Sequence, residues 1–144
     1  MHKGVSLMNL NRVVCLLAML TVTGHVFAQT SSCPKPADIK QYRMDKGGYH
    51  YVADGPLDQK WAGENETAKE LRMASLEFTA ANYKPINDER NSMPAVICDY
   101  SGAGDDAVRL VLKPVHQFSH APNTFWEANY CKANDNLKCM FNHQ

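Results

Sequence analysis

The sequence predicts a mainly β protein, a small antiparallel β-rich domain of sandwich- or barrel-like form, with little helix and stapled by two disulfides. Three observations predict it. Short apolar runs alternate with Gly-, Pro- and Asp-bearing turns along the whole chain beyond residue 28, a pattern of antiparallel strands and not of βαβ units. That stretch holds four cysteines, Cys33, Cys98, Cys131 and Cys139, behind an apolar leader, which reads as a disulfide framework. Only 14 of its 116 residues are Ile, Leu or Val, whereas 12 are aromatic. Aromatic rings bury about 150–250 Å² each, so they must build most of the core.

The chain of 144 residues has the length of one domain. Residues 1–28 read as a signal peptide and 29–144 as the mature domain. Arg12 precedes an apolar run over residues 13–28, and Val26 and Ala28 fill the −3 and −1 positions before Gln29, the features a signal peptidase reads. Met8 offers an alternative start with a shorter basic segment. An uncleaved anchor is the competing reading, but Thr21, Thr23, Gly24 and His25 break the run, and a spanning helix needs about 20 predominantly apolar residues. Cys15 sits early in the run, is poorly placed for lipidation and leaves with the leader. No second apolar run follows, so the mature protein is expected to be soluble, secreted or periplasmic, with no membrane contact after cleavage.

Three pairings of the four cysteines are possible. We favour Cys131–Cys139 as a local staple and Cys33–Cys98 as a long-range one. Chain entropy assigns the short loop ~2.6 kcal/mol and the long one ~4.3 kcal/mol, large beside a net stability of about 5–15 kcal/mol. No C-x-x-C pair is present, which argues against structural zinc, and paired sulfurs supply no thiolate nucleophile.

Along the mature chain, residues 29–38 carry Pro34 and Pro36 and read as an extended lead-in. Tyr49-His50-Tyr51-Val52 lies between Gly47-Gly48 and Asp54-Gly55-Pro56, a strand between turns; a short strand around Trp61 follows. Residues 67–83 carry two periods. Thr67-x-x-Glu70 has the form of a capping box, yet Ala74, Leu76, Phe78 and Ala80 alternate with polar residues. The expectation is a helical turn near 68–72 and a strand near 74–81. Residues 82–94 read as a long exposed loop. The runs at 95–100 and 107–112 form a hairpin around the Gly- and Asp-rich segment 101–106. Pro114 ends it. Residues 115–124 are a loop, 124–131 a last strand with Phe125, Trp126 and Tyr130, and the chain closes through Cys139-Met140-Phe141.

The mature chain carries 13 basic and 15 acidic residues, a net charge of −2. Phosphate recognition calls for a basic surplus, so no nucleic-acid partner is expected. No serine lies in a G-x-S-x-G context, and Gly102-Ala103-Gly104 is too short to cradle phosphate. Asn134-Asp135-Asn136 lacks the distal acid of a calcium loop and reads as a turn. Asn65-Glu66-Thr67 matches a glycosylation sequon. His116 and His120 are the candidate metal ligands. Their four-residue spacing would put two imidazoles on one helix face, but Pro114 and Pro122 work against a helix there. Asp105, Asp106 or His50 would have to complete such a set. The same pair could act as acid and base in a small hydrolase. Tyr49 and Tyr51 share one strand face, and His50 and Val52 the other.

Cys33-Pro34, Trp61-Ala62-Gly63-Glu64-Asn65, Leu76-x-Phe78-x-x-Ala81, Ile97-Cys98-x-Tyr100, Trp126 and Cys131…Cys139-x-Phe141 resemble a family of small exported proteins of unknown function from Legionella- and Coxiella-like bacteria and other gammaproteobacteria. The resemblance covers nearly the whole mature chain. It implies a compact, disulfide-linked, β-rich fold outside the cytoplasm and supplies no catalytic residue.

Together these features describe a non-catalytic binding or interaction module, a host-facing factor or inhibitor, with no cofactor and with a protein or an envelope or host-surface partner. Its contacts are expected on the loops at 82–94, 101–106 and 115–124, since loops on a rigid scaffold carry binding residues. The alternative is a secreted metal-binding protein or hydrolase using His116 and His120.

Overall fold

The computed structural model describes Gly24 and residues 27–144. The expected leader, with Cys15, lies almost wholly outside the described residues. The chain runs β1 (Gln29–Ser31), β2 (Lys40–Arg43), β3 (Tyr49–Asp54), β4 (Lys60–Asn65), β5 (Glu77–Lys84), β6 (Ala95–Ser101), β7 (Ala107–Leu112), β8 (Ser119–His120), β9 (Trp126–Glu127), β10 (Tyr130–Lys132) and β11 (Phe141–His143). Single 3-10 turns at Pro36–Asp38, Met73–Ser75, Asp88–Arg90 and Asn136–Cys139 are the helical content of the described residues. The expected β-rich class with little helix therefore holds.

Eight strands form one sheet in the order β2-β3-β4-β7-β6-β5-β10-β9, and β1-β11-β8 form a second. Every strand pairing is antiparallel. Alternation puts Tyr51, Trp61, Leu110, Leu112, Val96 and Cys98 on the inner face of the large sheet, each at most 1% exposed. The small sheet adds Phe141, whose ring meets Trp61 edge-on at 6.4 Å. The two sheets thus share one core, rich in rings as the shortage of aliphatics requires.

Both favoured disulfides are present. Cys33–Cys98 spans 65 residues with a Cα–Cα distance of 5.8 Å, and Cys131–Cys139 spans 8 residues at 5.7 Å. The first pins the N-terminal segment to the middle of β6. Two hydrogen bonds hold the same corner. The buried Tyr100 hydroxyl donates to the Pro34 carbonyl at 2.6 Å, and the Asn136 amide donates to the Cys33 carbonyl at 2.7 Å.

The hairpin of β6 and β7 turns through 101–106 as expected, with Gly102 N–H donating to the Asp106 carbonyl at 2.8 Å. Elsewhere the structure corrects the reading. No helical turn forms at 68–72, because the Thr67 N–H and hydroxyl both donate to Asn65 Oδ1, each at 3.1 Å; this local turn replaces the capping box. The strand expected near 74–81 instead runs Glu77–Lys84, since Met73–Ser75 is a 3-10 turn. A bulge at Thr79 separates the pairs Phe78↔Tyr100 and Ala80↔Asp99. The extra residue resets the alternation, so that Phe78 and then Ala81 face the core.

The loop expected from residue 82 accordingly begins only after Lys84. The single strand expected over 124–131 is two short ones, β9 and β10, joined at Ala128 (φ 52°) and Asn129. The extended lead-in at 29–38 contains β1 and the loop expected at 115–124 contains β8, and the two strands flank β11. β2 was not anticipated.

Two predictions follow from this packing. Tyr100→Phe keeps the ring against Phe78 (centroids 5.8 Å apart) but leaves the Pro34 carbonyl without its donor. A loss of about 1–3 kcal/mol is expected, measured by urea unfolding; an unchanged midpoint would show that this bond does not hold the corner. His143 is 3% exposed and its Nε2 lies 2.7 Å from Ser31 Oγ. Burial disfavours the imidazolium and lowers its pKa below the ordinary value. Between that depressed value and about pH 6.5 the unfolded chain binds the proton better. The stability due to neutral His143 is therefore whole above about pH 6.5 and is lost as pH falls through the folded pKa. In His143→Gln this part of the acid dependence should vanish. A stability difference between the two proteins that stays constant from pH 7.5 to pH 5 would contradict it.

Candidate functional site

β4 pairs with β3 along its whole length, from Asp54↔Lys60 to Tyr49↔Asn65, but with β7 only at Ala62↔Val111. Past Ala62 it keeps its pairs with β3, while the β7 backbone runs close alongside without regular pairing. Gly63 is required by this approach: a Cβ there would collide with the Arg109 carbonyl, so only glycine lets the two backbones pass at that point. Beyond it opens a cleft of about 720 Å³. Residues 64–67 form one wall and 107–109 the other, with 99–101 and Thr79 behind and Tyr51 on the buried side.

The charges in the cleft fall into two sets. Arg109 donates to Asp99 through Nε–Oδ1 at 2.6 Å and Nη2–Oδ2 at 3.2 Å, a two-point ion pair across β6 and β7. The hydrogen bond and the charge of Asp99 raise the Arg109 pKa, so the guanidinium stays charged and occupied. Glu64 and Glu66 make no ion pair among the described residues and stand exposed at the mouth. A smaller cavity of about 400 Å³ shares Asn65, Thr67 and Ala107 with the cleft and adds Asp105, Asp106 and Lys69.

Tyr51 lines the cleft from the core side and is 1% exposed, and its hydroxyl makes no hydrogen bond among the described residues. Burial first, then the negative charge of Asp106, raises its pKa above the ordinary phenol value. The group stays protonated at neutral pH, able both to donate and to accept. Two neighbouring hydroxyls are spent: Thr67 Oγ1 donates to Asn65 Oδ1 and Thr79 Oγ1 to the Asp99 carbonyl, both at 3.1 Å.

The two candidate histidines lie elsewhere. His120, on β8, has Nε2 2.6 Å from the Ala128 carbonyl and stacks on Trp126 with centroids 5.6 Å apart. His116 is exposed and lines a shallow cavity of about 270 Å³ with the 86–94 loop, Asp88 included. The segment between them is not helical, so their spacing does not place them on one helix face. His50 stacks on Tyr42 at 5.0 Å. Among the described residues no three His, Cys, Asp or Glu side chains converge on a point where a metal ion could sit. Asp135 accepts from Leu137 N–H at 2.9 Å, completing the turn expected at 134–136.

Sequence reasoning found Tyr51 as a strand residue but not as part of a site, and it missed Glu64, Glu66, Asp99 and Arg109. One signal was available. Asp99 and Arg109 are opposite charges inside the two apolar runs of the expected hairpin, where cross-strand partners attract. The unpartnered hydroxyl of Tyr51 has no sequence signature, because it depends on where β4 leaves β7.

Tyr51→Phe removes a buried hydroxyl that lacks a partner while keeping the ring. Because such a group costs about 1–3 kcal/mol, the variant should melt higher than the parent in a thermal scan. A lower melting temperature would mean that the hydroxyl is bonded in solution.

Neither a curated protein nor a solved structure matches the chain. One protein family does, over residues 28–142, which takes in β1 to β10, most of β11 and both disulfides. The chain therefore belongs to the family described as "Protein of unknown function (DUF3757)".

Proposed function

We propose that this protein is an exported, non-catalytic binding module and that the cleft between β4 and β7 is its binding site. The observation that carries this reading is the Tyr51 hydroxyl, buried on the cleft's inner side without a partner. A native fold keeps a buried polar group unpaired at a cost, and the cleft beside it has the size of a small-molecule site. The residues around it suit recognition better than turnover. Thr67 and Thr79 are bonded to the chain's own oxygens, and Arg109 is held by Asp99, so no hydroxyl there is paired with a base that would activate it.

Export is supported by the signal-like N-terminus and by the likeness to exported gammaproteobacterial proteins. Two disulfides are consistent with an oxidising compartment outside the cytoplasm. A host-facing or envelope partner follows from that location. Of the three loops expected to carry contacts, 101–106 borders the cleft and its neighbour through Ser101, Asp105 and Asp106.

The test is a ¹⁵N-resolved titration of the mature protein with a panel of probes: an amine, a dicarboxylate, inorganic phosphate, a disaccharide and a neutral tripeptide. Saturable shifts of amides in 64–67, 99–101 and 107–109 are expected for at least one probe. If none moves these amides, or if saturable shifts map only to another surface, the cleft is not the binding site.

A further inference from the structure

We propose that the exported form of this chain begins with a pyroglutamate: cleavage after Ala28 frees the amine of Gln29, and that amine closes on the residue's own side-chain amide. This rests on the reading of residues 1–28 as a removable leader and adds the modification that its removal brings.

The fold starts where the leader ends. Phe27 is 76% exposed and Ala28 is exposed as well, whereas Gln29 is half-buried and opens β1 opposite His143. The ties that hold β1 down come after it. Thr30 Oγ1 donates to Asn142 Oδ1 at 2.7 Å, Ser31 Oγ lies 2.7 Å from His143 Nε2, and Cys33 is bonded to Cys98. A cut before Gln29 therefore leaves the strand whole and puts an amine on its first residue. A protease working inward from that end would meet paired residues at once, because β1 has only three.

The side chain of Gln29 is at liberty to react. Its amide makes no hydrogen bond among the described residues. Two other glutamines show the contrast. The Gln41 amide is gripped in both directions by the Leu71 backbone, and Gln59 Nε2 donates to the Pro114 carbonyl at 2.8 Å. While Ala28 is attached, the Gln29 nitrogen is a peptide nitrogen and no nucleophile. Cleavage turns it into an α-amine of pKa about 7.7–8.0, so roughly a tenth is uncharged at pH 7. That nitrogen attacks Cδ. An N–Cδ bond forms, the Cδ–Nε2 bond breaks, and one proton of the amine leaves with the amide nitrogen as ammonia. Both reacting groups belong to one residue, which supplies the high effective concentration of an intramolecular step.

The strand accommodates the product. The five-membered ring takes in N, Cα and the side chain and leaves the Cα–C rotation to the extended backbone. A proline-like ring is accepted at the first residue of a strand, which is where Gln29 stands. The terminal charge is lost, and with it the amine that an aminopeptidase grips. The ring thus seals the open end of β1, the strand through which the N-terminal segment meets β11.

The full chain would be expressed with its leader in a Gram-negative bacterium, recovered from periplasm and medium, and kept for days at neutral pH. Free amines are then blocked by reductive methylation of the intact protein, so that a ring formed during later handling is not counted. The N-terminal peptide is read by mass spectrometry after digestion. Most of it is expected to start at residue 29, to carry no methyl label on the α-nitrogen and to be lighter than its sequence by one ammonia. In Gln29→Glu, whose ionised carboxylate is a far poorer acceptor, the peptide should start at residue 29 with a labelled amine. If the parent peptide also starts at residue 29 with a labelled amine, the ring does not form, and this inference falls while the leader reading stands. If the protein keeps residues 1–28 or is cut at another bond, the leader reading and this inference fall together.

Discussion

Three ties meet at Cys33 and Pro34. The Cys33 sulfur is bonded to Cys98, its carbonyl accepts from Asn136, and the Pro34 carbonyl accepts from Tyr100. This corner joins the N-terminal segment, the centre of β6 and the 136–139 turn, which lie far apart in the chain. The Cys131–Cys139 bridge then fastens that turn to β10. A chain with few branched aliphatics cannot hold a two-sheet fold by burial alone, since a small domain already buries a limited share of its surface. Restricting the unfolded ensemble by a long cross-link is an effective remedy. The hydrogen bonds make the corner directional, so that β1 is aligned to meet β11 and Phe141 is brought onto Trp61.

With that corner fixed, the large sheet can tolerate an interruption. β6 is the best-paired strand, bonded along its length to β5 and β7, and it carries Cys98. The β4–β7 seam, by contrast, is joined at one residue pair. Gly63 and the backbone of Arg109 meet at a point that leaves no room for a Cβ. The cleft lies beside this seam and beside the best-paired strand of the sheet. Tyr51 lies on its core side, with the hydroxyl closed off from solvent and without a partner among the described residues, a local cost that the cross-linked corner helps the fold to carry.

What could be read from the sequence was what depends on local pattern and on redox chemistry. The hairpin at 95–112 was legible because apolar runs and a Gly- and Asp-rich turn are local signals. The even count of cysteines pointed to two disulfides, and of the three possible pairings the favoured one is present. The errors share a cause in non-local structure. β1, β2 and β8 are polar and short, so no periodicity announces them; β1 and β8 also depend on β11 far along the chain, whereas β2 pairs locally with β3. Thr79 shifts β5 by one residue through a bulge set against Asp99, and a strict two-residue alternation has no way to include it. Pro114 and Pro122 already argued against a helix between His116 and His120, and the segment is indeed not helical; the contact of His120 with the Ala128 carbonyl depends on the β9–β10 turn and has no local signal. Of the site, only the Asp99–Arg109 pair left a trace in the sequence, because the hairpin makes it nearly local.

The edges of the sheets bear on how a partner could approach. All four are short: β2 has four residues, β1 has three, and β8 and β9 have two each. β2 also carries Lys40 and Arg43 at its ends, and short, charged edges discourage pairing with another chain. A strand added to any of them would gain few main-chain hydrogen bonds, too few to offset the ordering of an extended peptide. Recognition by sheet extension is thus disfavoured by the same economy of strand length that hid these elements from sequence reasoning. The β4–β7 cleft is a concave feature of the large sheet where side chains and not backbone edges would make the contacts. Charged side chains line that cleft, so affinity there would respond to ionic strength as exposed charges do.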